Sequence, residues 1–407
     1  MIVRARPKYI FESDIIPVLE KSRLATNCQY NDGKLYYTSG HIALRHILAT
    51  YSSFVKRRLH VAMQSFNCIT VLNAALAAGA DVTLMDNTLQ DFSISMTSIT
   101  KIEPKPDVLI LTHYQGIPNN NYIEIAEFCH SNGIFLIDDI CQTEGSVINH
   151  VKVGTLSDAA FGSFGFDKPI SVFNGGYIQL NNVCNQAFCE QLTRLHSDLD
   201  IEPQMGALRD LELLYIGLKI TSEETYTETF DRSDISLYPF LKTMWPYYQQ
   251  LSKNGMFSIL MRVYRKARNC LYKWQNDPIL RLSPLKQVLL PIQHKRLHQR
   301  MENGIPLEEQ SLKKLLDKYG ICYPMHEGTC WNRFSFLDQD GIFAQHIQRK
   351  EIQYGNYNWS TPMHLNHHVR KNKHVKFSSS MANAELCAAK IVNVPVWSKY
   401  FTELLNV

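Results

Sequence analysis

The sequence contains no C-x-x-C pair, no apolar run near the length of a membrane span and no strong excess of either charge. Its ten cysteines are scattered through helix- and strand-like stretches, the distribution of reduced core residues. The lack of a long apolar run excludes a membrane-spanning helix as the organising feature. Met1 to Tyr9 is basic, interrupted by Pro7 and without the apolar centre of a signal peptide, so cytoplasm is the expected compartment. A net charge of +4 is too mild for a general nucleic-acid binder, and no nucleic-acid partner is expected.

What the chain does contain is α/β alternation. At 407 residues it exceeds one average core, and the length suggests two domains. In the first half DVTLMD, DVLILTHY, GIFLIDD and AAFGSFGF read as strands, set between helical stretches such as Asn67 to Ala78 and Tyr122 to Ser131. This pattern predicts a mainly parallel sheet with helices on both faces. Gly79 and Gly133 fall where left-handed helix C-caps are expected. From about residue 320 the pattern changes to a smaller α+β unit: the strand-like NRFSFLD, a helix starting near Gly341, the loop NWSTPMHLNHH and a late helix from Ser380 to Ile391.

The densest chemistry lies in SFGFDKPISVFNGGYI, Ser163 to Ile178, which sets Lys168 in a short non-helical segment between two strand-like runs. Upstream, GIFLIDD ends in Asp138 and Asp139. An acid and a lysine so placed suit pyridoxal phosphate (PLP). The lysine amine holds that cofactor as a Schiff base, and a carboxylate keeps its pyridine nitrogen protonated so that the ring takes up electrons. Ser39 and Gly40 open an amphipathic helix, SGHIALRHILATY, whose unpaired N–H groups and positive dipole end favour a phosphate dianion.

Taken singly, each feature has a plainer explanation. Ser39-Gly40 reads as a helix cap, Asp138-Asp139 as a solvated strand end or the cap of the next helix, and Lys168 as a surface lysine. Their order along one α/β pattern is what favours a cofactor site.

That order resembles the DegT/StrS family of PLP-dependent sugar aminotransferases. The likeness runs through SG-x-x-AL (Ser39 to Leu44), SFNCITVLNAALAAGA (Ser65 to Ala80), HYQGIP (His113 to Pro118), DDICQTEGS (Asp138 to Ser146), SFGFDK (Ser163 to Lys168) and NGGYI (Asn174 to Ile178). It covers about residues 30 to 180 and returns more weakly from about 280. The resemblance implies an α/β, PLP fold-type I architecture: a mainly parallel, seven-stranded-type large domain sandwiched by helices, with a smaller α+β C-terminal domain. The expected boundaries are 1–235 for the PLP-binding domain, 236–280 for an amphipathic aromatic and basic insertion, and 281–407 for a linking helix and the small domain.

The same resemblance implies roles. Lys168 matches the Schiff-base lysine and Asp139 the acid on the pyridinium nitrogen. Gln142 falls beside the ring and its phenolic oxygen, and Ser163 joins Ser39 and the Gly40-His41 backbone at the phosphate. A dehydratase branch of the family has a histidine at the position of Lys168, so this chain is similar to the transaminating branch. The implied activity moves an amino group from glutamate to a nucleotide-linked keto-sugar, in lipopolysaccharide, O-antigen or related amino-sugar biosynthesis, within a homodimer.

Three departures stand out. Where relatives place an aromatic residue on the cofactor ring, this chain has Cys68, with Phe66 two residues earlier; either Phe66 stacks on the ring or Cys68 covers it less fully. Asn174 replaces a usual glutamate, and Ile279 replaces an asparagine that reaches the partner's phosphate. These leave open a PLP enzyme for a different carbonyl or amino-acid substrate, and a PLP-binding regulatory protein whose catalysis has decayed. Retention of Lys168, Asp139, Gln142 and Ser163 argues against decay.

In relatives the small domain closes the substrate site, which makes Asn358, Trp359 and His364 candidates for substrate contact. His364, His367, His368 and His374 invite a metal reading, but without acidic or thiolate partners a solvated loop is favoured and no metal is expected. Residues 255–274 carry an apolar stripe including Phe257, Leu260 and Tyr264, flanked by Arg262, Arg265, Lys266 and Lys273. The stripe packs on the fold or a second subunit, or makes a peripheral membrane contact.

Overall fold

Val108–Thr112 and Phe135–Asp139 are buried along their whole length, as strands covered on both faces must be. They form the centre of an eight-stranded sheet in the computed structural model, which describes residues 2–3, 9–21, 30–221, 277–303, 307–324, 328–349, 353–354, 359–378 and 380–394. Strands of three or more residues are β1 (Leu35–Tyr37), β2 (His60–Gln64), β3 (Asp81–Met85), β4 (Val108–Thr112), β5 (Phe135–Asp139), β6 (Ala159–Ser163), β7 (Gly176–Leu180), β8 (Phe334–Leu337), β9 (Val375–Phe377) and β10 (Ile391–Val394). The order across the large sheet is β9-β3-β2-β4-β5-β6-β7-β1. From β9 to β6 all neighbours run parallel, whereas β7 is antiparallel to both β6 and β1.

The sheet holds eight strands where the resemblance implies a seven-stranded type. The eighth, β9, comes from late in the chain and covers the β3 edge, pairing Val375 with Val82 and Phe377 with Leu84. At three residues it is too short to display a period-two pattern in the sequence.

Side chains alternate across the sheet. Leu109, Leu111 and Leu136 enter one apolar cluster, and Val108, Ile110 and Ile137 enter the other. The helices that cover these faces are α1 (Glu12–Lys21), α2 (Gly40–Phe54), α3 (Ile69–Ala77), α4 (Tyr122–Ser131), α5 (Gln186–Ser197), α6 (Gln204–Thr221) and α7 (Leu290–Glu302). Ile125 and Cys129 of α4 join the first cluster, while Ile42, Leu44 and Ile47 of α2 and Val71 and Leu72 of α3 join the second. Each fully buried Leu or Ile contributes roughly 1.5–3 kcal/mol before entropy is counted. Gly79 and Gly133 take φ of +83° and +63° just past α3 and α4, the left-handed geometry expected of them.

The C-terminal unit pairs β8 antiparallel with β10, Phe334 opposite Val394, among α8 (Leu307–Lys318), α9 (Ile342–Arg349) and α10 (Ala382–Lys390). NRFSFLD forms strand only over Phe334–Leu337 because its polar ends are used otherwise. Asp338 accepts from the amides of Phe343 and Ala344 at 3.2 and 2.9 Å, capping α9. Asn332 donates to Gln115 Oε1 at 2.7 Å. Phe334, Phe336 and Phe343 share one cluster with Phe66, Phe92 and Tyr114 of the sheet-bearing part, so a single aromatic core joins the two units.

Residues 222–276, and with them the 255–274 stripe and most of the 236–280 insertion, lie outside the described residues, as does Asn358. Among the described residues no helix is long and apolar enough to cross a membrane.

Candidate active site

The end of β6, the start of β7 and the start of α2 converge. Ser163 pairs with Gly176, and the loop between them carries Lys168. A Cβ on Gly176 would lie 2.3 Å from Gly40 N and 2.5 Å from Gly40 Cα. Only glycine lets α2 begin directly on the β6–β7 hairpin. Ser39 caps α2, accepting from the Ile42 amide at 3.3 Å, and its Oγ lies 3.0 Å from His41 Nδ1. First-turn amides lack acceptors within their own helix, so this seat presents N–H groups and the positive dipole end to an anion.

A cavity of about 180 Å³ opens at this junction. The α2 start contributes Ser39, Gly40 and His41, and the hairpin contributes Ser163, Lys168, Asn174 and Gly175. The end of β5 adds Asp139, Cys141 and Gln142; Thr112 borders it from β4, Cys68 from the start of α3, and Trp359 from the C-terminal unit. The cavity lies at strand ends of a mainly parallel sheet, where such folds collect ligands.

Strand alternation separates the two adjacent acids. Asp138 is fully buried on the α4 side, where it accepts from Tyr122 Oη at 2.7 Å and lies 3.4 Å from His113 Nε2. Asp139 points the other way, into the cavity wall, at 4% exposure. Its Oδ1 accepts from the Cys141 amide at 3.1 Å, and its Oδ2 meets the Thr112 hydroxyl at a long 3.4 Å. Burial pushes the Asp139 carboxyl above its ordinary range, with the Cys141 thiol and amide and the Lys168 ammonium pulling the other way. A cationic N–H donor entering the cavity would offset that burial.

Lys168 lies 3.4 Å from Asp167 Oδ2. Burial works against its charge, yet the Asp167 carboxylate holds the ammonium above the usual lysine range. Asp167 is itself held below the carboxylate range: partial burial opposes this, its side chain being 44% exposed, but Lys168 and Arg333 outweigh it. Gln142 is oriented through Oε1, which accepts from the Gln115 amide at 3.3 Å. Burial pushes the Cys141 thiol well up, so it is a neutral wall group.

Of the residues singled out from the sequence, Ser39, Gly40, His41, Cys68, Asp139, Gln142, Ser163, Lys168 and Trp359 line the cavity. Phe66 does not: its ring is fully buried, 5.3 Å from both Tyr114 and Trp359, inside the shared aromatic core. His364 also lies elsewhere, buried between Ser65 Oγ at 2.7 Å and Glu385 Oε1 at 3.0 Å. Both side chains are used up in joining the two units. Ile279 packs against the apolar cluster around α2. His374 is engaged with Asp81 at 2.7 Å, and among the described residues no group of three or more His, Cys, Asp or Glu could hold a metal ion. Thr112 and Cys141 were missed. Thr112 stands opposite Asp139 in the β4–β5 register, and that pairing is the signal that would have found it.

The architecture is that of PLP fold-type I proteins. The E. coli GDP-4-keto-6-deoxy-D-mannose-3-dehydratase with bound hydrated PLP superposes with a TM-score of 0.65 at 15% identity, covering 99% of this chain and 100% of that one. PseC of Helicobacter pylori, an aminotransferase involved in the biosynthesis of pseudoaminic acid, gives 0.64 at 13% identity, covering 98% and 97%.

Residues 33–202 match the model of the DegT/DnrJ/EryC1/StrS aminotransferase family, a stretch that supplies every cavity-lining residue among the described residues except Trp359. The chain is 24% identical over 183 residues to GDP-perosamine synthase of Vibrio cholerae, covering 44% of this chain and 46% of that protein. It is 29% identical over 123 residues to dTDP-4-dehydro-2,3,6-trideoxy-D-glucose 4-aminotransferase of Saccharopolyspora spinosa, covering 28% and 30%. The chain thus spans about half the length, or less, of these curated relatives.

Proposed function

We propose that the protein is a PLP-dependent aminotransferase that moves an amino group from glutamate to a nucleotide-linked keto-sugar. The observation that carries this reading is the meeting of Lys168, Asp139, Gln142, Ser163 and the α2 start around one cavity. These residues fit PLP by their own chemistry. Buried Asp139, with one oxygen only weakly engaged by Thr112, suits a pyridinium N–H, and the α2 start with Ser39 and Ser163 suits a phosphate.

Bound PLP supplies an electron sink for the carbanion formed at the donor's α-carbon. Asp139 would hold the positive charge on the pyridine nitrogen. Ser39, Ser163 and the amides of Gly40 and His41 would hold the phosphate, and Gln142 would border the ring. Lys168 Nζ is the amine that would tether the cofactor and, when free, would carry the proton removed from the donor's α-carbon. The same groups would serve in reverse on the sugar ketone.

The relatives named above, which act on GDP- and dTDP-linked sugars by their names, support a nucleotide-linked keto-sugar as acceptor and a role in surface-glycan or related amino-sugar synthesis. The working form in this reading is a cytoplasmic homodimer. The test is to supply PLP-loaded protein with glutamate and a panel of GDP- and dTDP-linked 4-keto-6-deoxy sugars, and to follow amino-sugar nucleotide and 2-oxoglutarate by mass spectrometry. Equal amounts of both products are expected. Loaded protein that forms neither, with glutamate or any other amino acid, contradicts the reading.

A further inference from the structure

Among the described residues, Trp359 is the one cavity-lining residue that lies outside the family-matched stretch. It is half-buried, and its indole is gripped edge-on by two rings: Phe66 at 5.3 Å and 68°, and Tyr114 at 5.0 Å and 68°. Both gripping rings are fully buried. Tyr114 is fixed in turn by Asn393 of β10, whose Nδ2 donates to Tyr114 Oη at 2.9 Å.

The backbone just after Trp359 is strapped to the loop that follows β2. The Met363 amide donates to Ser65 O at 2.9 Å, and His364 Nδ1 lies 2.7 Å from Ser65 Oγ. That loop leads to Cys68, which lines the same cavity with a small side chain engaged by Thr70 Oγ1 at 3.0 Å. Near Cys68 the wall is therefore built from small or branched side chains, Thr70 and Val71 among them, together with one large rigid indole.

A planar heteroaromatic ring gains from an aromatic wall held in place beforehand. Resting on the PLP reading, we propose that Trp359 is the aromatic wall of the cofactor ring, so that the C-terminal segment clamps the ring where Cys68 is too small to do so. Cofactor retention then depends on the seating of the C-terminal segment on Ser65.

The experiment uses full-length wild type, Trp359→Phe, Trp359→Leu and the double variant Cys68→Tyr/Trp359→Leu, each loaded with PLP. Two quantities are read: the dissociation constant for PLP, and quenching of tryptophan fluorescence as PLP binds. Trp359→Leu is expected to weaken PLP binding about 10-fold, or about 1.4 kcal/mol, while Trp359→Phe stays within about 3-fold because a ring remains. Cys68→Tyr is expected to restore binding in the Trp359→Leu background, a coupling that general destabilisation would not produce. Quenching is expected to fall sharply in Trp359→Phe. Wild-type PLP affinity in folded Trp359→Leu, or undiminished quenching in Trp359→Phe, overturns the proposal. The quenching result decides by itself if the leucine variant does not fold. A wild-type protein that takes up no PLP defeats the functional reading and this inference together; one that takes it up but fails the variant tests defeats only this inference.

Discussion

The Cys141 amide donates to Asp139 Oδ1 at 3.1 Å, leaving Asp139 Oδ2 with the Thr112 hydroxyl at 3.4 Å. One oxygen of the acid is thereby fixed by backbone while the other remains available in a buried wall. Asp139→Asn keeps the shape but removes the charge that stabilises a pyridinium. Turnover is expected to fall roughly 100- to 1,000-fold, the size of losing one preorganised electrostatic partner, with PLP binding reduced less. Steady-state rates beside PLP titrations check this, and unchanged turnover would remove Asp139 from the mechanism.

Asp167 sets the protonation of Lys168. Burial disfavours the Lys168 ammonium, but Asp167 restores it and more, so the amine loses its proton above the usual range. Asp167→Asn removes the largest stabiliser of the charged form, and the neutral, nucleophilic amine appears at lower pH. The rising limb of the pH profile for PLP capture by apo-protein is expected to move to lower pH. A profile that stays in place, or moves to higher pH, contradicts the pairing.

Lys286 ties the region before α7 to the site. Its buried ammonium meets Glu202 at 2.7 Å and Asp210 at 2.6 Å, and it donates to the carbonyl of cavity-lining Asn174 at 3.3 Å. Lys286→Met leaves two acids without their cation, at an expected cost of about 3–5 kcal/mol. Burial already raises the Glu202 pKa, and Lys286 opposes that rise. In the variant the native state binds a proton more readily than the unfolded chain, so stability falls as pH rises and recovers as pH is lowered. Denaturant melts across a pH series test the size and the sign.

Gly176 has no room for a side chain. A methyl group there meets Gly40 N at 2.3 Å, and backbone on both sides cannot yield as a flexible side chain would. Gly176→Ala is expected to cost about 1–3 kcal/mol and to weaken PLP binding, because α2 must lift from the hairpin that carries Ser163. A thermal melt and a PLP titration measured together report both effects, and wild-type behaviour in both would show that the close seat is dispensable.

The parts of the site legible in the sequence were those with local signatures. Ser39-Gly40 opens a helix by capping chemistry, and Lys168 sits in a hairpin flanked by strand-like runs. Asp138 and Asp139 read as a pair, and the resemblance singled out Asp139; the physical reason, that one face of β5 meets α4 and the other α2, needs the fold. Thr112 could not be placed without the β4–β5 register, because parallel neighbours are brought together by tertiary structure alone. The β9 strand is too short to carry a pattern, and its pairing with β3 spans nearly three hundred residues of chain. Phe66 and Trp359 were both plausible aromatic contacts by position. Only the fold separates them: Phe66 is fully buried in the aromatic core, while Trp359 lines the cavity.

The central claim is that Lys168 both tethers the cofactor and moves the donor proton. Its most direct test is the visible absorption spectrum of PLP-loaded wild type and Lys168→Ala, before and after L-glutamate. In wild type a yellow lysine-bound band is expected, which glutamate converts to the near-ultraviolet pyridoxamine form, while Lys168→Ala has neither the band nor the conversion. A wild-type protein without the band, or a Lys168→Ala protein that converts PLP as fast as wild type, contradicts the account.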